Sequence, residues 1–249
     1  MVESGAMLGS ACRQMNGDFK HCYKEAFSEA LQIAGTNSGI RLRPGSVKKI
    51  IATGFGAHLI KKASSFQIEA LCIARGIHEL DAKVRTVIDA GGLFIRVIII
   101  DDKGFLEQCH INEKCAAGSG KFLEMISEAI NVPFESITEY ASSSRDPFHL
   151  TNSCAVFAES DVISHLNNGR AAADILAGVI DSIAAKTVTL IESAGAEDVI
   201  AITGGLSRVR AFVESLKKMS GRDIVTVSID PQMLSAFGGA ILAQIPPLL

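Results

Sequence analysis

Two cysteines stand in contexts that suit metal chemistry. Cys115 lies in Asn112-Glu113-Lys114-Cys115-Ala116-Ala117-Gly118-Ser119-Gly120, and Cys154 in Thr151-Asn152-Ser153-Cys154-Ala155-Val156-Phe157-Ala158-Glu159-Ser160. Each falls at the start of a helical pattern. A helix N-terminus carries partial positive charge, which lowers a thiol pKa and favours a thiolate or a thiolate-held cluster. Small and polar neighbours make room for such a ligand, although a redox disulfide or two unrelated core thiols satisfy the same spacing. A [4Fe–4S] cluster takes four cysteine ligands. Two per chain therefore imply a second chain that supplies the other two across a dimer interface.

Three glycine pairs form the second group: Asp89-Ala90-Gly91-Gly92, Thr203-Gly204-Gly205 and Phe237-Gly238-Gly239-Ala240. A glycine pair lets backbone pass close to a ligand and turn its amides toward phosphate. Asp89, at a strand end, is placed to orient water or a magnesium ion beside that phosphate. A tight turn or close helix packing accounts for any one pair, whereas three together favour a nucleotide site. Gly118-Ser119-Gly120-Lys121 lacks the spacing and the preceding buried strand of a P-loop.

The elements that must position these residues follow from hydrophobic periodicity. Apolar residues at helical spacing run from Asp18 to Ala34, and Gly35 follows as a stop signal. Strands are expected at Lys49–Thr53, Val84–Ala90, Ile95–Asp101, Phe105–Ile111, Val199–Thr203 and Ile224–Val227, with Asp102-Lys103-Gly104 as a hairpin turn. Helices are expected at Ser65–Leu80, Ala117–Asn131, Pro133–Ser142, Ala155–Leu166, Ala172–Ala194, Arg208–Met219 and Met233–Leu242. This order reads as α/β with a mixed sheet. Ser142–Pro147 reads as a loose loop between the two cysteine-bearing segments.

The totals narrow the partners. The chain has 249 residues, 48% hydrophobic and 20% charged, with net charge −3, which gives no electrostatic reason to expect nucleic acid or an anionic membrane. No apolar run reaches the ~18–20 residues of a bilayer span. The first residues lack a signal-peptide pattern. Six cysteines without a CxxC point to reduced thiols in the cytoplasm. The six histidines are scattered and read as structural or surface residues.

NEKCAAGSGKFLE and SCAVFAESDVISHL resemble the two cluster motifs of the ATP-dependent activators of 2-hydroxyacyl-CoA dehydratases, a family that includes the ATP-binding subunits of benzoyl-CoA reductase. The resemblance runs from about Ile51 to Ala243. It implies the acetate/sugar kinase–Hsp70–actin (ribonuclease H-like) fold, with ATP or ADP and Mg2+ bound between two lobes. It also implies one [4Fe–4S] cluster shared by two subunits, with Cys115 and Cys154 as this chain's ligands. Asp89, Gly91 and Gly92 match the second phosphate loop, and Gly204 and Gly205 the adenosine loop. Glu159 matches the segment connecting the lobes, and Gly238 and Gly239 the closing helix. The first lobe would span 1–82, completed by 236–249, and the second 83–235. Implied partners are a second copy or a paralogous ATPase subunit, a dehydratase or reductase as electron acceptor, and reduced ferredoxin or flavodoxin as donor. ATP hydrolysis would drive delivery of a low-potential electron.

The pattern departs from the family in three places. Nothing before Lys49 has the form of the family's opening strand and phosphate loop, so the first lobe is expected to be N-terminally incomplete. After Gly92, activators carry Gln-Asp and then Lys, where this chain has Leu93, Phe94 and Arg96, which puts hydrolysis by this chain in question. A similar departure marks the second type of ATP-binding subunit in benzoyl-CoA reductase. Ile73 stands where the family usually has His. Two other readings of the same fold are a non-catalytic interaction subunit without a cluster and a small-molecule kinase.

Overall fold

The computed structural model describes residues 1–15, 17–112, 119–150 and 155–245. Up to residue 82 the elements are β1 (Val2–Glu3), β2 (Ala6–Met7), α1 (Phe19–Ser38), β3 (Ile51–Ala52), β4 (Ser65–Phe66) and α2 (Glu69–Leu80). There follow β5 (Thr86–Ala90), β6 (Ile95–Ile100), β7 (Leu106–Ile111), α3 (Gly120–Ala129), α4 (Ile137–Ser142), α5 (Ala155–Asn167) and α6 (Ala172–Ser193). The chain ends with β8 (Ile200–Thr203), α7 (Arg210–Ser220), β9 (Ile224–Thr226) and α8 (Leu234–Leu242). Two units form: one from 1–82, 102–106 and 233–249, the other from 83–101 and 107–232.

In the first unit, Asp18 caps α1 by accepting from the His21 amide at 3.0 Å, and Gly39 ends the helix in the left-handed region. The helix expected from Ser65 starts later, at Glu69. Ser65 and Phe66 pair in parallel with Ile51 and Ala52, so the chain stays extended before it can coil. The hairpin of β1 and β2 was not legible, because its two-residue strands are too short for a periodic signal.

Glycines let α2 and α8 meet backbone to backbone. A Cβ on Gly238 would lie 1.7 Å from the Cys72 carbonyl oxygen, and one on Gly76 would lie 2.8 Å from the Leu234 carbonyl oxygen. The Cys72 thiol is buried at this contact, and burial pushes its pKa up.

The second unit is built on a five-stranded sheet in the order β7-β6-β5-β8-β9. β5 is antiparallel to β6 and parallel to β8, and β8 is parallel to β9. Every residue of β5 is buried, as a central strand covered on both faces requires. The core joins Ile88, Val97 and Ile202 of the sheet to Phe122, Ile175, Val179 and Phe212 of the helices.

The segment 143–148 is a correction to the loose loop expected there. The Ser144 hydroxyl and the Arg145 and Asp146 amides all donate to Oδ1 of Asp174, at 2.7, 3.0 and 3.0 Å. The Phe148 amide donates to the Asp174 carbonyl, and Gly178 leaves space for the Phe148 backbone against α6. Polarity of sequence says nothing of a carboxylate some thirty residues further on that collects three donors.

Gly238→Ala should destabilise the first unit by about 3 kcal/mol or more, because the clash is with the α2 backbone at Cys72 and Gly76; the loss of its thermal transition in calorimetry measures this. A pH titration of the 143–148 segment gives a second check. The Ser144 hydroxyl, the Asp146 and Arg145 amides and the Arg170 charge hold the Asp174 carboxyl below its ordinary 3.8. Its contribution is therefore complete above that value and lost as pH falls through the lower folded-state pKa. Protection of the Arg145 and Asp146 amides relative to their intrinsic exchange rates should persist at neutral pH and fall only in acid below 3.8, whereas Asp174→Ala should lower it throughout.

Candidate functional site

β5 and β8 run parallel with Asp89 opposite Thr203, so the two strands end side by side and their glycine elbows become neighbours. The approach is closer than any side chain allows. Gly204 has φ +84°, and a Cβ there would lie 2.5 Å from the Ala90 carbonyl oxygen and 2.9 Å from Oδ1 of Asp89. Ser207 donates to the Gly204 carbonyl at 2.7 Å and Thr203 to the Pro231 carbonyl at 2.7 Å, which fixes the turn after β8. On the other elbow the Gly91 amide donates to the Phe94 carbonyl at 2.9 Å. Gly92 has nothing within 4 Å of a notional Cβ, and Gly205 only the side-chain Nε2 of Gln232 at 3.7 Å. Both therefore keep open space in front of their backbone, as close approach of a phosphate requires.

Asp89 is committed to an internal cation. The 91–94 turn places Asp89 directly opposite Arg96 on the antiparallel partner strand, and cross-strand neighbours share one face of the sheet. Arg96 Nε donates to Oδ2 at 2.8 Å, and Nη2 donates to the same oxygen. The two side chains are 9% and 16% exposed, so the pair is largely desolvated. A carboxylate held this way is a weaker ligand for a metal ion than a free one. Leu93, 62% exposed at the tip of the turn, adds no polar group. Cys109 on β7 feels the same two charges: burial raises its thiol pKa, Arg96 opposes this and Asp89 adds to it.

The start of α3 is hydrogen-bonded to this elbow. The Gly120 amide donates to the Gly91 carbonyl at 3.0 Å and the Lys121 amide to the Gly92 carbonyl at 2.8 Å. A Cβ on Gly120 would lie 3.2 Å from both the Gly91 carbonyl oxygen and Leu206 Cγ, so α3 begins wedged between the two elbows. Two amides at a helix N-terminus, which have no partner within their own helix, are satisfied by the turn after β5.

Of the residues singled out from sequence, the structure brings together Asp89, Gly91, Gly92, Gly204 and Gly205. Glu159 is half-buried on the first turns of α5, which packs on α3. Gly238 and Gly239 lie in the other unit, facing the Cys72 carbonyl, the Ile51 side chain and Cys72 Sγ. Cys115 and Cys154 fall outside the described residues; Cys115 precedes the α3 start Gly120 by five positions, and Cys154 immediately precedes Ala155, the first residue of α5. Among the described residues no three His, Cys, Asp or Glu side chains gather into a metal-holding group, and no helix is long and apolar enough to cross a membrane. The thiol donors suit an iron–sulfur cluster, and the glycine elbows leave the cradle that a phosphate needs. Sequence reasoning missed the Asp89–Arg96 pair, although a four-residue turn at 91–94 fixes that register. It also missed the docking of Gly120, which only the small residues Gly118-Ser119-Gly120 could have signalled.

A profile of the BadF/BadG/BcrA/BcrD ATPase family matches residues 7–243. The activator of lactoyl-CoA dehydratase from Anaerotignum propionicum is 32% identical over 220 residues, which are 88% of this chain and 82% of that one. One of the benzoyl-CoA reductase subunits of Thauera aromatica is 31% identical over 223 residues, 89% of this chain and 77% of that one. The solved activator of 2-hydroxyisocaproyl-CoA dehydratase from Clostridium difficile, with bound ADPNP, matches with a TM-score of 0.79 at 31% identity, covering 88% of this chain and 80% of that one. The fold is that of the acetate/sugar kinase–Hsp70–actin proteins, as the sequence motifs imply.

Breaking the pair at Asp89 has a defined cost. Arg96→Met should lower stability by about 2–4 kcal/mol, because it leaves a nearly buried carboxylate without its cation. Adding Asp89→Asn to Arg96→Met should recover part of that loss, and Arg96→Lys should lose less. Urea unfolding of the wild type, Arg96→Met, Asp89→Asn and the double variant as a double-mutant cycle measures the coupling, expected at about 0.5–3 kcal/mol.

Proposed function

The chain belongs to the BadF/BadG/BcrA/BcrD ATPase family, and on that premise we propose that it is an iron–sulfur electron-transfer subunit whose bound nucleotide controls delivery of a low-potential electron. The acceptor is a 2-hydroxyacyl-CoA dehydratase or a benzoyl-CoA-reductase-type enzyme, and the donor is reduced ferredoxin or flavodoxin in the cytoplasm. Cys115 and Cys154 hold half of a [4Fe–4S] cluster, and a second copy or a paralogous subunit holds the other half. When bound, the cluster supplies a one-electron carrier of low potential. ATP or ADP with Mg2+ sits against Gly91, Gly92, Gly204 and Gly205, with Asp89 facing the phosphates and Glu159 contributing from α5.

The observation that carries this reading is the pair of bonds from the Gly120 and Lys121 amides to the Gly91 and Gly92 carbonyls. The helix that follows Cys115 starts on the same turn that faces the phosphates. A nucleotide that reorients the 91–94 turn moves the carbonyls on which α3 begins, and with them the segment carrying Cys115. Hydrolysis asks more of the site than this movement does. It needs a free carboxylate and polar groups after Gly92, where this chain has Arg96 on Asp89 and an exposed Leu93. Slow hydrolysis suits a chain that completes a cluster beside a more competent ATPase subunit, as expected of the second type of benzoyl-CoA reductase subunit. The Asp89–Arg96 pair also favours a second reading, an ATPase-fold interaction subunit that binds nucleotide without redox work.

Iron and sulfide analysis of anaerobically purified, reconstituted protein separates the two. About two irons per chain are expected from one cluster shared by two chains. Cys115→Ala and Cys154→Ala should each abolish the cluster's absorbance and paramagnetic signal while leaving nucleotide affinity within about twofold, a difference of about 0.4 kcal/mol. Iron that stays near zero after reconstitution would sink the redox reading, and cluster spectra and acceptor affinity identical with ADP and with ATP would sink the control by nucleotide.

A further inference from the structure

Asp89 stands between the two elbows. Its Oδ1 lies 2.9 Å from where a Cβ on Gly204 would be, and its Oδ2 accepts from two nitrogens of Arg96. A phosphate cradled by the open backbone of Gly92 and Gly205 would therefore lie beside a carboxylate, and two anions side by side repel. Phosphate sites commonly answer that repulsion with Mg2+, which takes oxygens from the carboxylate and from the phosphates together.

Here a counter-charge is built into the sheet. Strand register, not a ligand, sets Arg96 opposite Asp89, and the two side chains are 16% and 9% exposed. A guanidinium keeps its proton at any working pH, so the carboxylate is offset whether or not a metal ion is present. The other cations beside the elbows differ in kind. Lys121 pairs with Glu124 at 2.9 Å and Arg208 with Asp230 at 2.5 Å, but both pairs stand open to water, where their fields are screened. The Asp89–Arg96 pair is the desolvated one, and its two charges are felt undiminished by a ligand at the same strand ends.

We propose that Arg96 stands in for magnesium at Asp89, so that nucleotide affinity at the elbows does not depend on a metal ion bound by that carboxylate. This rests on nucleotide binding as proposed above and is independent of the cluster. It makes Arg96 a residue that selects the form of the nucleotide: metal-free and metal-bound phosphates meet the same neutral pair.

The measurement is ADP affinity by calorimetry on the intact 249-residue chain, in excess Mg2+ and in excess EDTA. The wild type is compared with Arg96→Met, with Arg96→Gln and with Arg96→Met carrying Asp89→Asn. The quantity read is the ratio of the two affinities in each variant relative to the wild type, in which any ligand that the ion finds elsewhere cancels. Arg96→Met leaves the carboxylate uncompensated, so affinity in EDTA should fall about tenfold while affinity in Mg2+ stays within about threefold. Arg96→Gln keeps a hydrogen-bond donor for Asp89, is the milder change to the fold and should shift the ratio the same way. Adding Asp89→Asn to Arg96→Met removes both charges and should return the ratio to the wild-type value.

A ratio unchanged in both single variants would overturn the proposal. So would a ratio in the double variant about fivefold or more below the wild type, since Asp89 would then hold metal despite Arg96. Affinity lost equally in both buffers by the double variant would overturn it in favour of Arg96 as a direct phosphate ligand. No ADP binding by the wild type in either buffer would overturn it together with the nucleotide part of the proposed function, which the other three results would leave standing.

Discussion

The second unit depends on a distance that no side chain can occupy. Gly204 and the Ala90 carbonyl approach until a Cβ would lie 2.5 Å from the oxygen, and only glycine at positive φ tolerates that contact at little cost. Because β5 and β8 end at this closeness, their two elbows form one continuous backbone surface. Gly120 then fits against both, within 3.2 Å of the Gly91 carbonyl oxygen and of Leu206 Cγ. Any larger residue at 204 would part the strand ends and remove the carbonyls on which α3 begins. The order of dependence runs from one glycine to a strand pair, and from the strand pair to a helix start.

Electrostatics at the same place follow from register. With Gly91 to Phe94 as the turn, Asp89 and Arg96 must face each other, and at 9% and 16% exposure neither charge is comfortable without the other. Arginine presents a planar fork where lysine presents a point charge, so it holds the carboxylate at two nitrogens. The result is a stable sheet end whose carboxylate is already satisfied. Exposed Leu93 reinforces this, since the turn offers backbone to a ligand and little polar side chain.

Much of this was legible from residues that obey local rules. The apolar run of β5, the hairpin around Asp102-Lys103-Gly104 and the long periodic stretch of α6 were read from spacing alone, within a few residues of their ends. The glycine elbows at 91–92 and 204–205 were read from their place at strand ends. What escaped was set by partners distant in sequence. Ser65 and Phe66 extend because Ile51 and Ala52 are there to pair with. The 143–148 segment is pinned because Asp174 accepts three hydrogen bonds from it. Gly238 reads equally as a ligand cradle or a helix contact until the Cys72 carbonyl is found against it. Periodicity carries no information on such pairings, since it reports which face a residue occupies and not what meets that face.

Backbone and side chains at the 91–94 turn perform separable tasks, and this bears on how a family member could keep one function while losing another. The anchoring of α3 uses the carbonyls of Gly91 and Gly92, which are present whatever side chains follow. Acid–base and metal chemistry use the side chains at 89, 93, 94 and 96. Substitution at 93, 94 and 96 can therefore erode hydrolysis while the geometry linking the turn to the helix stays intact, because no atom of that link is replaced. A glycine substitution at 91, 92, 120 or 204 acts in the opposite way, disturbing the link while the charges remain. Under the proposed function, selection on signalling from nucleotide to cluster would fall on the glycines, and selection on turnover on Asp89 and its neighbours.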